Sequence, residues 1–119
     1  KKNLNFNKSN ILLLGLSFKE NCPDIRNSKI FDLFKELISF NINVDIYDPV
    51  VNPNEVKSNH GLNLTLKPNN SKYDLIVITV PHQIFKDIGI KNIKMWCNDQ
   101  GSIMDLKNTF PQNTVDYSI

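Results

Sequence analysis

Residues 11–38 read ILLLGLSFKENCPDIRNSKIFDLFKELI, and this stretch decides the fold. Ile11-Leu12-Leu13-Leu14 is a short apolar run ended by Gly15. Such a run, bounded by a turn signal, predicts a strand buried on both faces. Leu16 to Asn27 predicts a long loop, with Pro23 as a breaker. Ser28 stands where a helix N-cap belongs. Behind it Ile30, Phe31, Leu33, Phe34, Leu37 and Ile38 recur at three-to-four spacing, with Lys35 and Glu36 on the other face. That pattern predicts an amphipathic helix ending near Asn41.

The alternation continues downstream. Val44-Asp45-Ile46-Tyr47 predicts a second strand, stopped by Asp48-Pro49. Pro53 to Ser58 predicts a weak helix, and Leu62, Leu64 and Leu66 alternate as a half-buried edge strand does. Leu75 to Val80 is the strongest strand, β-branched and nearly all apolar, and Pro81 stops it. Residues 82–95 predict one or two helical turns with Ile84, Phe85 and Ile88 inward. Ser102 to Asp105 predicts a last strand, after which the chain trails off. Strands alternating with helices imply an α/β fold, a mainly parallel sheet with helices on both faces. Ligands of such sheets bind beyond the carboxyl ends of the strands, at the switch point. Here the loop after Gly15 and the loop after Val80 edge that crevice.

The 119 residues are enough for one domain with its own core. The 14 basic and 12 acidic residues are too balanced for nucleic acid or an anionic membrane to be the expected partner. No apolar run approaches the roughly 20 residues of a membrane-spanning helix. Residues 1–10 are polar and read as a lead-in. Lys1 rather than Met opens the chain, so the expectation is a piece of a longer protein. Cys22 and Cys97 form no disulfide framework and lack metal-ligand spacing, which fits a reduced, cytoplasmic setting. Alanine is absent while Asn, Lys and Ile abound, a compositional bias that lowers helix propensity.

The loop from Gly15 to Ser28 is long for a strand-to-helix connection, and long loops in compact domains tend to be functional. It carries Lys19 and Arg26 at the ligand-binding end of the sheet, and the following helix adds backbone donors and a positive dipole end. Together they compose a candidate phosphate site, in which Arg grips bidentately and Lys acts as a point charge. The other reading has Arg26 paired with Asp24 or Glu20, holding the loop in shape. Lys107 is either a third cation of the crevice or a solvated lysine. Gly15 opens no dinucleotide fingerprint, because positions 17 and 20 are Ser and Glu. Asp48 stands where a ribose-binding acid would, but Asp-Pro reads better as a turn. His82 is a candidate ligand contact or general base, without a nucleophile placed beside it. Cys22 lacks both a base and an orienting group. His60 reads as solvated, and Trp96 and Cys97 as packing residues.

Gly15-Leu16-Ser17-Phe18-Lys19 followed by Asp24-Ile25-Arg26-Asn27-Ser28 resembles the start of the C-terminal domain of UDP-glucose/GDP-mannose dehydrogenases. Val44 to Pro49 resembles that domain's second strand with its YDP end. Tyr73-Asp74 leading through Leu75 to Val80 and His82 resembles its fourth strand, and Asp105-Leu106-Lys107-Asn108 its closing DxK/DxR segment. The run from Phe18 to Asn27 is most similar to the UDP-N-acetylhexosamine 6-dehydrogenase branch. The match covers residues 10–110.

The resemblance implies a Rossmann-like three-layer sandwich over residues 11–119 that binds a UDP-sugar. It implies that the whole enzyme oxidises the sugar C6 alcohol to a carboxylate for surface polysaccharide. NAD and the catalytic cysteine then belong to N-terminal and central domains that this chain lacks, the whole enzyme is a homo-oligomer, and the chain alone is inactive. Cys22 does not correspond to the catalytic cysteine. By the same resemblance Phe18, Lys19, Asp24, Arg26 and Lys107 are the substrate-binding residues. The pattern departs from many members at Ser28-Lys29, where they have Ser-Pro, and at the tail Asp116 to Ile119, where they carry an arginine. The alternative is a non-catalytic mononucleotide- or ligand-sensing module. A receiver-type version would need an acidic pocket, whereas this rim is basic.

Overall fold

The computed structural model describes residues 9–118. Its centre is β1, Asn10–Leu14, whose Leu12, Leu13 and Leu14 are wholly buried. Each such side chain contributes about 2 kcal/mol of burial free energy. Alternation sends Leu12 and Leu14 into one core and Ile11 and Leu13 into the other. The strand is therefore covered on both faces, as its unbroken apolar run predicts.

Five strands form one parallel sheet: β1, then β2 (Asn43–Tyr47), β3 (Tyr73–Ile78), β4 (Cys97–Asp105) and β5 (Tyr117–Ser118), in the order β2-β1-β3-β4-β5. The chain leaves β1 for β2 on one side and later returns to place β3 on the other. The switch point thus lies between the ends of β1 and β3.

Helices α1 (Ile30–Ser39) and α2 (Pro53–His60) cover one face through Phe31 and Val56. Helices α3 (Gln83–Ile88) and α4 (Ile90–Lys94) cover the other through Phe85 and Ile93. The α/β sandwich with a parallel sheet is as predicted. In α1, Ile38 departs from its expected inward role and is 45% exposed. The helix ends where Asn41 takes a left-handed φ of 61°.

Several boundaries differ from expectation, each for a physical reason. Asn10 already belongs to β1, and residues 1–8 of the expected lead-in lie outside the described residues. Residues 62–66 are not a strand. They run beside β2 and make one bridge to it, Thr65 N–H to the Ile46 carbonyl at 2.9 Å. Leu62 and Leu64 pack on the core, but Leu66 is 78% exposed. β3 stops at Ile78 rather than Val80, because the N–H groups of Thr79 and Val80 both turn to the Leu14 carbonyl, at 3.0 and 3.2 Å. β4 starts at Cys97, five residues early. Its partners jump from Tyr73↔Cys97 to Leu75↔Ser102, a bulge that hides the polar residues 98–101 from an apolar pattern. The tail does not trail off. Asp116 donates its N–H to the Ile103 carbonyl and accepts from Ile103 N–H, which seats β5. His60 is not merely solvated, since it closes α2 and stacks on Phe31 at 3.6 Å between ring centroids.

Candidate functional site

The site is built from the carboxyl ends of the strands. At the end of β1, Gly15 adopts φ +113°, and a Cβ there would lie 2.5 Å from the Val80 Cβ. Thr79 closes the same seam, donating its hydroxyl to the carbonyls of Leu14 and Gly15 at 2.9 and 2.6 Å. The ends of β1 and β3 are thereby drawn together.

Asp48, at the end of β2, holds the start of that loop. Its Oδ2 accepts the N–H groups of Leu16 (2.7 Å) and Ser17 (3.1 Å), and its Oδ1 accepts Val50 N–H (2.9 Å). His82, just beyond β3, lies with Nε2 2.9 Å from Asp48 Oδ2, and both side chains are fully buried. Burial pushes the Asp48 carboxyl upward, but the His82 hydrogen bond and the N–H groups of Leu16 and Val50 outweigh it. The pKa is therefore held below the usual value of 3.8.

Ser28 joins the other end of the loop to α1. Its hydroxyl donates to the Leu16 carbonyl and accepts Ile30 N–H at 3.2 Å. The capping oxygen comes from Ser28 as expected, although Lys29 is the residue at the helix boundary. On the far side, fully buried Asp105 accepts the N–H groups of Lys107 (3.2 Å) and Phe110 (2.9 Å), which fixes the turn carrying Lys107.

Between these elements opens a cleft of about 170 Å³, lined by Ser17, Phe18, Asn27, Ser28, Lys29, Ile30, Thr79, Val80 and Lys107. Two lysines and the start of a ten-residue helix line it, while the hydroxyls of Ser17, Ser28 and Thr79 are already donating to main-chain carbonyls. That donor set is suited to a phosphorylated ligand. Phe18 is 57% exposed and offers an apolar ring at the mouth.

The structure brings Phe18 and Lys107 of the expected residues to this cleft. Lys19 is exposed on the adjoining loop and does not line it. Arg26 is committed elsewhere: its guanidinium forks onto Asp24, with Nε to Oδ1 and Nη2 to Oδ2 both 3.0 Å, and its side chain is 86% exposed. The Arg26 hydrogen bonds hold the Asp24 carboxyl down at about 2. The fork, with Phe18 N–H donating to the Asp24 carbonyl at 2.7 Å, shapes the loop. Nothing in the sequence marks Asn27 or Lys29 as a site residue. Their only signal is position, since they flank Ser28 at the start of α1.

The residues present do not fit a dinucleotide. Gly15 serves strand packing rather than close approach of a pyrophosphate, and the Asp48 carboxylate is buried and already faces four donors, out of reach of a ribose. Among the described residues no group of three or more His, Cys, Asp or Glu could hold a metal ion. No helix among them is long and apolar enough to cross a membrane. Cys97 and Trp96 pack against the second core as expected. A larger groove of about 530 Å³ lies along β2, between Phe31, Phe34, Val44 and Leu62, and shares no residue with the cleft.

Comparison with known proteins gives the family and the fold. The sequence profile of the UDP-glucose/GDP-mannose dehydrogenase family, UDP binding domain, matches residues 12–112. A UDP-N-acetyl-D-glucosamine 6-dehydrogenase of Salmonella typhi is 41% identical over 116 residues, 98% of this chain and 27% of the relative. A protein of the same name from Pseudomonas aeruginosa is 35% identical over 98% of this chain and 28% of its own length. The chain thus spans just over a quarter of the curated relatives it matches. The solved UDP-N-acetyl-mannosamine dehydrogenase Cap5O of Staphylococcus aureus superposes with a TM-score of 0.71 at 23% identity, over 92% of this chain and 25% of that one. That likeness shows the shared fold.

Proposed function

The chain belongs to the UDP-glucose/GDP-mannose dehydrogenase family as its UDP binding domain, and from that premise we propose that its cleft holds the nucleotide sugar of an NAD-dependent UDP-sugar 6-dehydrogenase. The whole enzyme oxidises the C6 alcohol of that sugar to a carboxylate, for surface polysaccharide, in the cytoplasm. UDP-N-acetylhexosamines are the substrate class, the class named in both curated relatives. NAD and the catalytic cysteine belong to N-terminal and central domains outside this chain, and the assembled enzyme is a homo-oligomer. Residues 11–119 supply binding and orientation.

The observation that carries this reading is the placing of Lys29, Lys107 and the first turn of α1 around one cleft at the switch point. Lys107 and Lys29 neutralise the diphosphate as point charges, and the first turn of α1 adds its positive end. Phe18 gives the base or sugar an apolar face. Lys19 reaches the ligand from the loop rim. Asp24 and Arg26 act by shaping that loop, since each already neutralises the other.

Titration of the chain with UDP and UDP-N-acetylglucosamine, followed by amide chemical shifts, tests this. Shifts should concentrate at residues 15–29 and around Lys107. Lys107→Ala and Lys19→Ala should each weaken UDP binding by about tenfold, the worth of one partly solvated charge pair. Arg26→Ala should have a smaller effect. Saturating ligand that moves no amide around the cleft would sink the reading.

A further inference from the structure

His82 and Asp48 are out of place energetically. Each is fully buried, and burying polar groups at a packed seam costs free energy that apolar side chains of similar volume would avoid. Their hydrogen bonds show what the seam holds. Asn21 N–H donates to His82 Nδ1 at 2.9 Å, so that nitrogen is the acceptor and Nε2 carries the proton toward Asp48. Ser17 Oγ lies 3.2 Å from the same Nε2 and donates to the Lys19 carbonyl at 2.9 Å. Asn21, at φ +59°, returns a second contact, its Oδ1 accepting Gln83 N–H at 2.8 Å. With the two bonds from Leu16 and Ser17 to Asp48, the loop is gripped at both ends of residues 16–21. Between the grips stand Phe18 and Lys19, both exposed.

We propose that His82 and Asp48 are positioning residues for nucleotide-sugar binding, a buried clasp that holds residues 16–21 across the ends of β2 and β3 so that Phe18 and Lys19 are presented to the ligand before it arrives. The inference rests on the proposed function, and it names residues that act through the loop rather than by touching the ligand. Affinity rises when a binding loop is ordered in advance, because the ligand need not supply the ordering free energy.

Two half-replacements separate the grips. His82→Asn keeps an acceptor near Nδ1 for Asn21 but loses the bond to Asp48. His82→Gln keeps a donor near Nε2 for Asp48 but frees Asn21. The expected result is UDP binding about tenfold weaker in each folded variant, the worth of one hydrogen bond within a charged network. The amides of residues 16–21 should shift while those of β4 stay in place. Ile103→Val, a core change remote from the loop, should lower stability and leave UDP affinity unchanged, which a purely structural role for His82 would also predict of its own variants. In the unliganded wild type, the amides of Leu16, Ser17 and Asn21 should exchange with solvent as slowly as those of β1. If the variants fold and bind UDP like wild type, or if those three amides exchange as fast as exposed loop amides, the clasp is overturned. The exchange measurement decides even where a variant does not fold. Wild type that fails to bind UDP overturns the ligand reading instead, whatever the exchange rates are.

Discussion

Replacing Asp48 by alanine should lower the unfolding free energy by about 3–5 kcal/mol, because it leaves several buried donors unsatisfied at about 1–3 kcal/mol each. The carboxylate takes the N–H groups of Leu16, Ser17 and Val50 as well as His82 Nε2. Alanine strips all four donors of their acceptor in a site that water does not reach. Denaturant titration should show a lower midpoint with an unchanged slope. The same group predicts an acid limb. Its folded pKa lies below the ordinary 3.8. The stability it contributes is therefore fully present above that value and is lost as pH falls through the lower folded value. Asp24, held at about 2, acts in the same sense. Asp48→Asn should flatten the acid dependence, and a wild-type stability that does not fall below pH 3.8 would contradict the assignment.

Gly15→Ala should cost about 3 kcal/mol or more, by two routes that add. At φ +113° an L side chain is strained wherever it has room. Here it has none, since the new Cβ would meet the Val80 Cβ at 2.5 Å and the Val80 backbone nitrogen at 2.8 Å. The ends of β1 and β3 must part to admit it, which also displaces Thr79 and Val80 from the cleft wall. Thermal unfolding and UDP affinity should suffer together. Gly61→Ala is the informative contrast. Gly61 also has positive φ, +65°, but open space around it, and should cost only about 1 kcal/mol. Equal losses at the two sites would show that the seam has slack.

What was legible in the sequence followed apolar periodicity. Ile11 to Leu14 and Leu75 to Ile78 declare themselves as strands, and Phe31, Phe34 and Leu37 as a helix face, because burial on one or both faces leaves a repeating mark. The crevice could be placed from element order alone. What stayed hidden had no period. The bulge at residues 98–101 is polar, and β5 spans two residues. The abundance of asparagine looked like bias alone, yet Asn21, Asn27, Asn41 and Asn108 each take positive φ at a turn, work that the four glycines are too few to do. The position of Lys107 on the cleft follows from its place after the last long strand, while spacing alone leaves its role open. The sequence leaves the commitment of Arg26 to Asp24 open, because two residues of separation permit a fork without requiring one. The sequence marks Asp48 as a turn residue and His82 as a candidate contact, and only the folded chain puts them face to face.

The sheet order carries a consequence for how the protein is made. Ile11 pairs with Val44 on one side and with Leu75 on the other. A ribosome therefore releases the fully buried central strand long before either neighbour exists, and its second edge stays open until the emergence of β3. Late, long-range parallel pairing of this kind slows folding and leaves nascent chains prone to sticking. During synthesis the interval between residues 14 and 75 is when this chain has most need of a chaperone.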